Sequence, residues 1–221
     1  MKKGSDESLK SMVYKSMYED IMLGKYLPGM TFSEKDLVEI YQISKSPIRE
    51  ALIELCNEGM LRSIPRFGYE VLEISQSELR DVKETRAILE LGALNICFDK
   101  ISSEDISHLR KVIENAHNEG EKSVLLHWNR NIQFHLELAT LAGNEYLIKQ
   151  LQSTLTLMGR AYSQYQSKKH NKTTFKSGES HNHANLIDAI EKKDKEKALE
   201  ILARDLDSFE LLYIPNPLTL S

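Results

Sequence analysis

The sequence is poor in cysteine, with Cys56 and Cys97 as the only two among 221 residues. They stand far apart, in no metal-binding or redox spacing, which excludes a disulfide framework and a C-x-x-C centre. The expectation is of reduced, packed thiols in a cytosolic protein. Proline and glycine are scarce too, at 5 and 10, so collagen-like and low-complexity chains are excluded. No apolar run approaches the ~18 residues that a membrane-spanning helix needs. The opening "MKKGSDESLK" has lysines but no apolar core behind them, and does not read as a secretory signal. An excess of positive charge is also missing: 29 basic residues face 33 acidic ones, for a net charge of −4. A nucleic-acid binder of this composition must concentrate its cations locally.

What is present is helix-forming sequence, long enough for one large or two small domains. Leu9, Met12, Val13, Met17 and Ile21 fall on one helical face, and Gly24 with "YLPGM" ends that helix in a turn. A second helix starts at Ser33, with Asp36 placed for a capping box and Leu37 and Ile40 as its apolar side. In "ISKSPIREAL", Ser46 reads as an N-cap and Pro47 as the first helical residue. Ile48, Ala51, Leu52 and Leu55 form the buried stripe, and Gly59 ends the helix. "MLRSIPRFGYEVLEI" alternates around a Pro-Arg-Phe-Gly tip and predicts a two-stranded hairpin. Three helices and a hairpin in about 65 residues outline a winged helix-turn-helix.

From about Ser77 strand signals vanish. Leu79, Val82, Arg86, Leu89 and Ala93 share a helix face. Ser103 is expected to cap a helix with Ile106, Leu109, Val112 and Ile113 inward. Further helices are expected over 123–142, 145–165, 180–192 and 194–212. "SKKHNKTTFKSGES" reads as a polar loop with no role for Lys168 and Lys169, and "YIPNPLTLS" as a frayed tail. The fold class is mainly α: a winged helix-turn-helix over 1–75, then an all-α bundle over 76–221.

The first functional constellation is a DNA reader. A recognition helix places its N-terminal residues against base edges, and here those are Ser44, Lys45, Ser46 and Arg49. Arg49 can pair bidentately with guanine. Lys and Ser suit phosphate oxygens. From Ser44 to Arg49 there are two cations and no acid, while Glu50, Glu54 and Glu58 lie on later turns. At the hairpin tip Arg66 is a further candidate contact, with Gly68 allowing close backbone approach to DNA.

The second is a metal site. Asn131 and His135 are four apart and share a helix face; His183 and Asp205 lie on two later helices. One pair and two single ligands could close around a divalent cation inside a bundle. His181 is two residues from His183 and faces elsewhere. Arg86 pairs with Glu90 four residues on, or aims into the bundle towards a carboxylate ligand.

The stretch "IMLGKYLPGMTFSEKDLVEIYQISKSPIREALIELCNEGMLRSIPRFGYEV" resembles the DNA-binding domain of the GntR family of bacterial regulators. It carries I-x-x-G-x-x-x-P-G, then S-x-x-P-I-R-E-A-L, then E-G-M and a glycine-tipped wing. The resemblance implies DNA contacts from Lys35, Lys45, Ser46, Arg49 and the wing. Relatives often have arginine at positions 35 and 45; lysine keeps the charge but not the fork. "ETRAILELGAL", "FHLELATLAGNEYL" and "HANLIDAIEKKDKEKAL" resemble the FadR C-terminal (FCD) effector domain of the same family. That implies a zinc, nickel or similar ion at Asn131, His135, His183 and Asp205, with asparagine and aspartate replacing the usual aspartate and histidine, and a small organic acid meeting Arg86. The resulting expectation is a cytoplasmic, homodimeric regulator, a repressor rather than an enzyme, that binds a palindromic operator and answers to a carboxylate metabolite. The alternatives are a regulator that senses the metal itself, or a metal-dependent enzyme.

Overall fold

A computed structural model of the chain describes residues 8–118, 124–168 and 178–207. The described residues form two compact units: those up to Ile74 with the stretch from Gly159, and Ser75–Met158 with the remainder. No described helix is long and apolar enough to cross a membrane.

The first unit begins with α1 (Leu9–Met22), capped by the Ser8 hydroxyl, which accepts from the Ser11 N–H. Val13, Met17 and Ile21 are buried as expected, but Leu9 and Met12 are exposed. The first turn of α1 meets a polar part of the third helix instead, with Lys10 2.8 Å from Glu54. Strand β1 (Thr31–Phe32) precedes α2 (Glu34–Tyr41). Ser33 and Asp36 form the expected capping box. Leu37 is buried and Ile40 is not. In a helix of two turns the inward place after Leu37 falls to Tyr41, whose hydroxyl donates to Ser16 at 3.0 Å.

Helix α3 spans Lys45–Asn57, two residues earlier than the sequence suggests. Ser44, in extended conformation, is its N-cap. Pro47 is therefore the third helical residue, which costs nothing because the first four N–H groups of a helix have no intrahelical acceptor. The Ser46 hydroxyl is turned to Glu50, 3.0 Å away. Ile48, Ala51, Leu52 and Leu55 are fully buried, and Gly59 takes positive φ just past the end.

The hairpin is β2 (Leu61–Ile64) and β3 (Gly68–Val71). β1 adds to it, giving an antiparallel sheet of order β1-β3-β2. Two residues are too few for periodicity to reveal β1. Gly68 has φ +110, and a Cβ there would lie 2.3 Å from the Phe32 carbonyl oxygen. Backbone conformation and sheet packing therefore both require glycine here.

The second unit holds α4 (Gln76–Cys97), α5 (Ser103–Asn118), α6 (Val124–Thr140), most of α7 (Glu145–Lys168), α8 (Gly178–Glu191) and α9 (Lys195–Asp207). The last turns of α7 fall in the first unit, where Ser163 donates to the Ile21 carbonyl at 2.8 Å. Ser102, not Ser103, caps α5: its hydroxyl accepts from the Asp105 N–H, and Asp105 accepts from the Ser102 N–H. One core packs Leu94, Phe98, Leu109, Phe134, Leu186 and Leu202. A smaller one packs Ala93, Ala139, Leu151 and Leu155. Arg110 ties α5 to α8 through Asp188 and Glu191 at 2.8 and 2.6 Å. Helix α7 runs through Lys168, past the expected end at 165. The rest of the expected polar loop up to 177, the end of the last expected helix and the tail lie outside the described residues, as does the lysine-bearing N-terminus.

Candidate functional site

The start of α3 carries Ser44, Lys45, Ser46 and Arg49 on an exposed surface. Lys35 is exposed on α2, 3.8 Å from Glu39. Arg66, in left-handed conformation, and Phe67 stand exposed at the wing tip before Gly68. The local charge differs from the sequence reading in one respect. An acid does reach the cations, and it comes from a different helix. Glu34 of α2 accepts from Arg49 Nε and Nη2 at 2.8 and 3.0 Å. Lys45 Nζ lies 3.0 Å from the same carboxylate. These partners, Arg49 foremost, outweigh partial burial and hold the Glu34 carboxyl down at about 2.

The buried constellation is built on four helices of the second unit. His135 of α6, His183 of α8 and Asp205 of α9 are all buried. Their donor atoms form a nearly equilateral triangle: Nε2 to Nε2 3.3 Å, His135 Nε2 to Asp205 Oδ2 3.3 Å, His183 Nε2 to Asp205 Oδ2 3.4 Å. In a tetrahedron the edge is about 1.63 times the centre-to-corner distance, so these edges fit ligands about 2.0–2.1 Å from an ion, the range for zinc with nitrogen and oxygen donors. Among the described residues these three form one group able to hold a metal ion. Asn131, one turn before His135, is also buried. The donor set N, N, O, with an amide oxygen within one helical turn, suits a borderline divalent ion.

Behind the triangle stands α4. Glu90 Oε2 lies 2.5 Å from His135 Nδ1, and its other oxygen lies 2.6 Å from Arg86 Nε. From the sequence Glu90 is expected only as a partner of Arg86; the structure adds its contact with His135. The available signal was two charged residues, four apart, inside an otherwise apolar stripe. Glu90 fixes a proton on His135 Nδ1, so Nε2, towards Asp205 and His183, is the nitrogen that would bind a metal on giving up its own proton, the arrangement of a carboxylate behind a metal-binding imidazole. Phe134 stacks on the His183 ring at 4.0 Å between centroids. Burial pushes Glu90 up, but Arg86 and His135 overcome it and hold it at about 2. Burial alone would lower His135; Glu90 and Asp205 raise it. Asp205 is likewise buried and held well below the carboxylate range by the two histidines.

A winged helix-turn-helix followed by a helical unit with a buried polar site defines a DNA-binding transcriptional regulator. The family comparisons agree and make it specific. The model of bacterial regulatory proteins of the gntR family matches residues 9–71, and that of the FCD domain matches residues 81–208. The chain belongs to the GntR family, FCD type, whose members are regulators rather than enzymes. It is 25% identical to the HTH-type transcriptional regulator YdhC of Bacillus subtilis, over 84% of this chain and 82% of that protein. It is 30% identical to the Nta operon transcriptional regulator of Aminobacter aminovorans, over 58% of this chain and 61% of that one. Among solved structures, Escherichia coli McbR superposes with TM-score 0.77 at 24% identity, covering 93% of this chain and 97% of McbR.

Proposed function

We propose that the chain is a homodimeric repressor that binds a palindromic operator, one half-site per subunit, and is controlled by a small carboxylate metabolite. In this reading residues 1–75 bind DNA and 76–221 form the effector-binding and dimerisation domain. Arg49 reads guanine, Ser44, Lys45, Ser46 and Lys35 hold backbone or base edges, and Arg66 with the Gly68 backbone follows the adjacent groove. The operator places it in the cytoplasm.

The single observation that carries effector control is the His135, His183 and Asp205 triangle, buried in the unit to which this reading gives no DNA contact. These residues, with Asn131 as a candidate fourth, would hold zinc, nickel or a similar ion. A bound ion supplies a Lewis-acid centre to which a carboxylate can attach. Arg86 would add its guanidinium to that carboxylate. One observation favours the reading in which the ion itself is the effector: Arg86 Nε is already taken by Glu90.

The test is direct. DNA fragments selected by the protein should share an inverted repeat, and Arg49→Ala should lose affinity for it by at least about tenfold. An unchanged binding curve for a folded Arg49→Ala protein would remove α3 from base readout.

A further inference from the structure

Glu34 sits at the first helical position of α2, in a different element from the cations it meets. Four features set it apart from an ordinary surface pair. Its side chain is 15% exposed. It takes Arg49 with both oxygens. It takes Lys45 as well. The Tyr69 hydroxyl of β3 stands 3.4 Å from one of its oxygens. One carboxylate thus joins α2, α3 and the wing strand at the mouth of the recognition helix.

The geometry decides what remains free. A guanidinium has five N–H groups in a plane. Glu34 occupies the Nε edge and one hydrogen of Nη2. The edge left over, Nη1 with the other Nη2 hydrogen, belongs to a side chain that is 54% exposed, and it carries two parallel N–H groups. That is the fork that guanine O6 and N7 accept. The same carboxylate changes the charge of the patch. Lys45 and Arg49 contribute +2, and Glu34 brings the sum to +1, which weakens attraction to any phosphate backbone whatever its sequence.

We propose that Glu34 is a positioning residue for sequence discrimination: it holds Arg49 with its outer edge turned to a guanine and at the same time suppresses non-specific DNA binding. The proposal rests on the reading of α3 as the base-reading helix. It differs from a purely structural role in predicting two effects of opposite sign from one substitution.

The experiment compares wild type, Glu34→Gln, Glu34→Asp and Arg49→Ala as full-length proteins, by fluorescence anisotropy on the selected operator and on a scrambled duplex, across a salt series. Circular dichroism melting confirms that each is folded. Glu34→Gln should bind the scrambled duplex more tightly, with a salt slope steeper by about one per subunit. Its ratio of operator to scrambled affinity should fall at least about tenfold. Glu34→Asp keeps the charge on a side chain one methylene shorter. It should retain the wild-type salt slope and still lose discrimination. If Arg49→Ala loses the operator while Glu34→Gln keeps the wild-type ratio, the positioning role is wrong and the reading of α3 stands. If Arg49→Ala binds the operator normally, both are wrong.

Discussion

Gly68 shows how a single position can be decided by its neighbours. Its φ of +110 is open to glycine and strained for other residues, and the missing Cβ leaves room for the Phe32 carbonyl at 2.3 Å. Gly68→Ala should destabilise the winged unit by at least about 2 kcal/mol, since backbone strain and a backbone clash act together. The check is a melting curve, with a drop of several degrees expected; an unchanged Tm would mean that β1 does not press on β3. The glycine itself was legible as a wing marker. Its cause was not, because β1 is two residues long and lies 36 positions earlier. Glu34 was hidden for the same reason. The stretch from Ser44 to Arg49 holds no acid, and only the fold brings Glu34 to its two cations. By contrast, the Ser33–Asp36 capping box was legible because it is complete within four residues. Ser44 and Ser46 were confused because either hydroxyl can cap, and Pro47 is tolerated anywhere in the first turn.

At the scale of elements, helical periodicity predicts α3, α4, α6, α8 and α9, and the last three of these carry the four proposed ligands. His135, His183 and Asp205 meet because each occupies an inward position on its helix. The stripe places Arg86 inward with Leu79, Val82, Leu89 and Ala93 but does not reveal that Glu90 is inward too, where the two charges satisfy each other and the imidazole within α4 and α6. Glu90→Gln should keep a hydrogen-bonding group but remove the charge behind His135, and metal affinity should fall about 10- to 100-fold by calorimetry. Equal affinity would reduce Glu90 to a packing role.

The same four helices predict a pH profile for metal-free protein. His135 is raised, so its contribution to stability is complete below its ordinary value of 6.5 and is lost as pH rises through the higher folded value. Glu90 is lowered to about 2, so its contribution is complete above 4.5 and is lost as pH falls towards 2. Together they give full support between 4.5 and 6.5. A bound divalent ion would take the place of the His135 Nε2 proton and should restore Tm on the alkaline side. Melting curves with chelator and with zinc should separate above neutral pH; curves that coincide there would argue against a metal at this site.

For the whole molecule, the division of labour matters more than either unit. Net charge −4 argued against DNA until the cations were found gathered at one helix start and one wing tip. The family comparisons make the chain a regulator, and the proposed reading gives the buried triangle the sensing role in the helical unit. A regulator of this kind joins two binding equilibria, and a coupling of about 1–3 kcal/mol alters operator affinity by about 5- to 150-fold. The direct measurement is operator affinity for one protein preparation under four conditions: metal-free, zinc- or nickel-loaded, and each of these with a panel of small organic acids. The account predicts that at least one condition shifts Kd within that range and that His135→Ala, still folded and still able to bind operator, shows no shift. An identical Kd in all conditions, or an equal shift in His135→Ala, would contradict the claim that the buried site controls DNA binding.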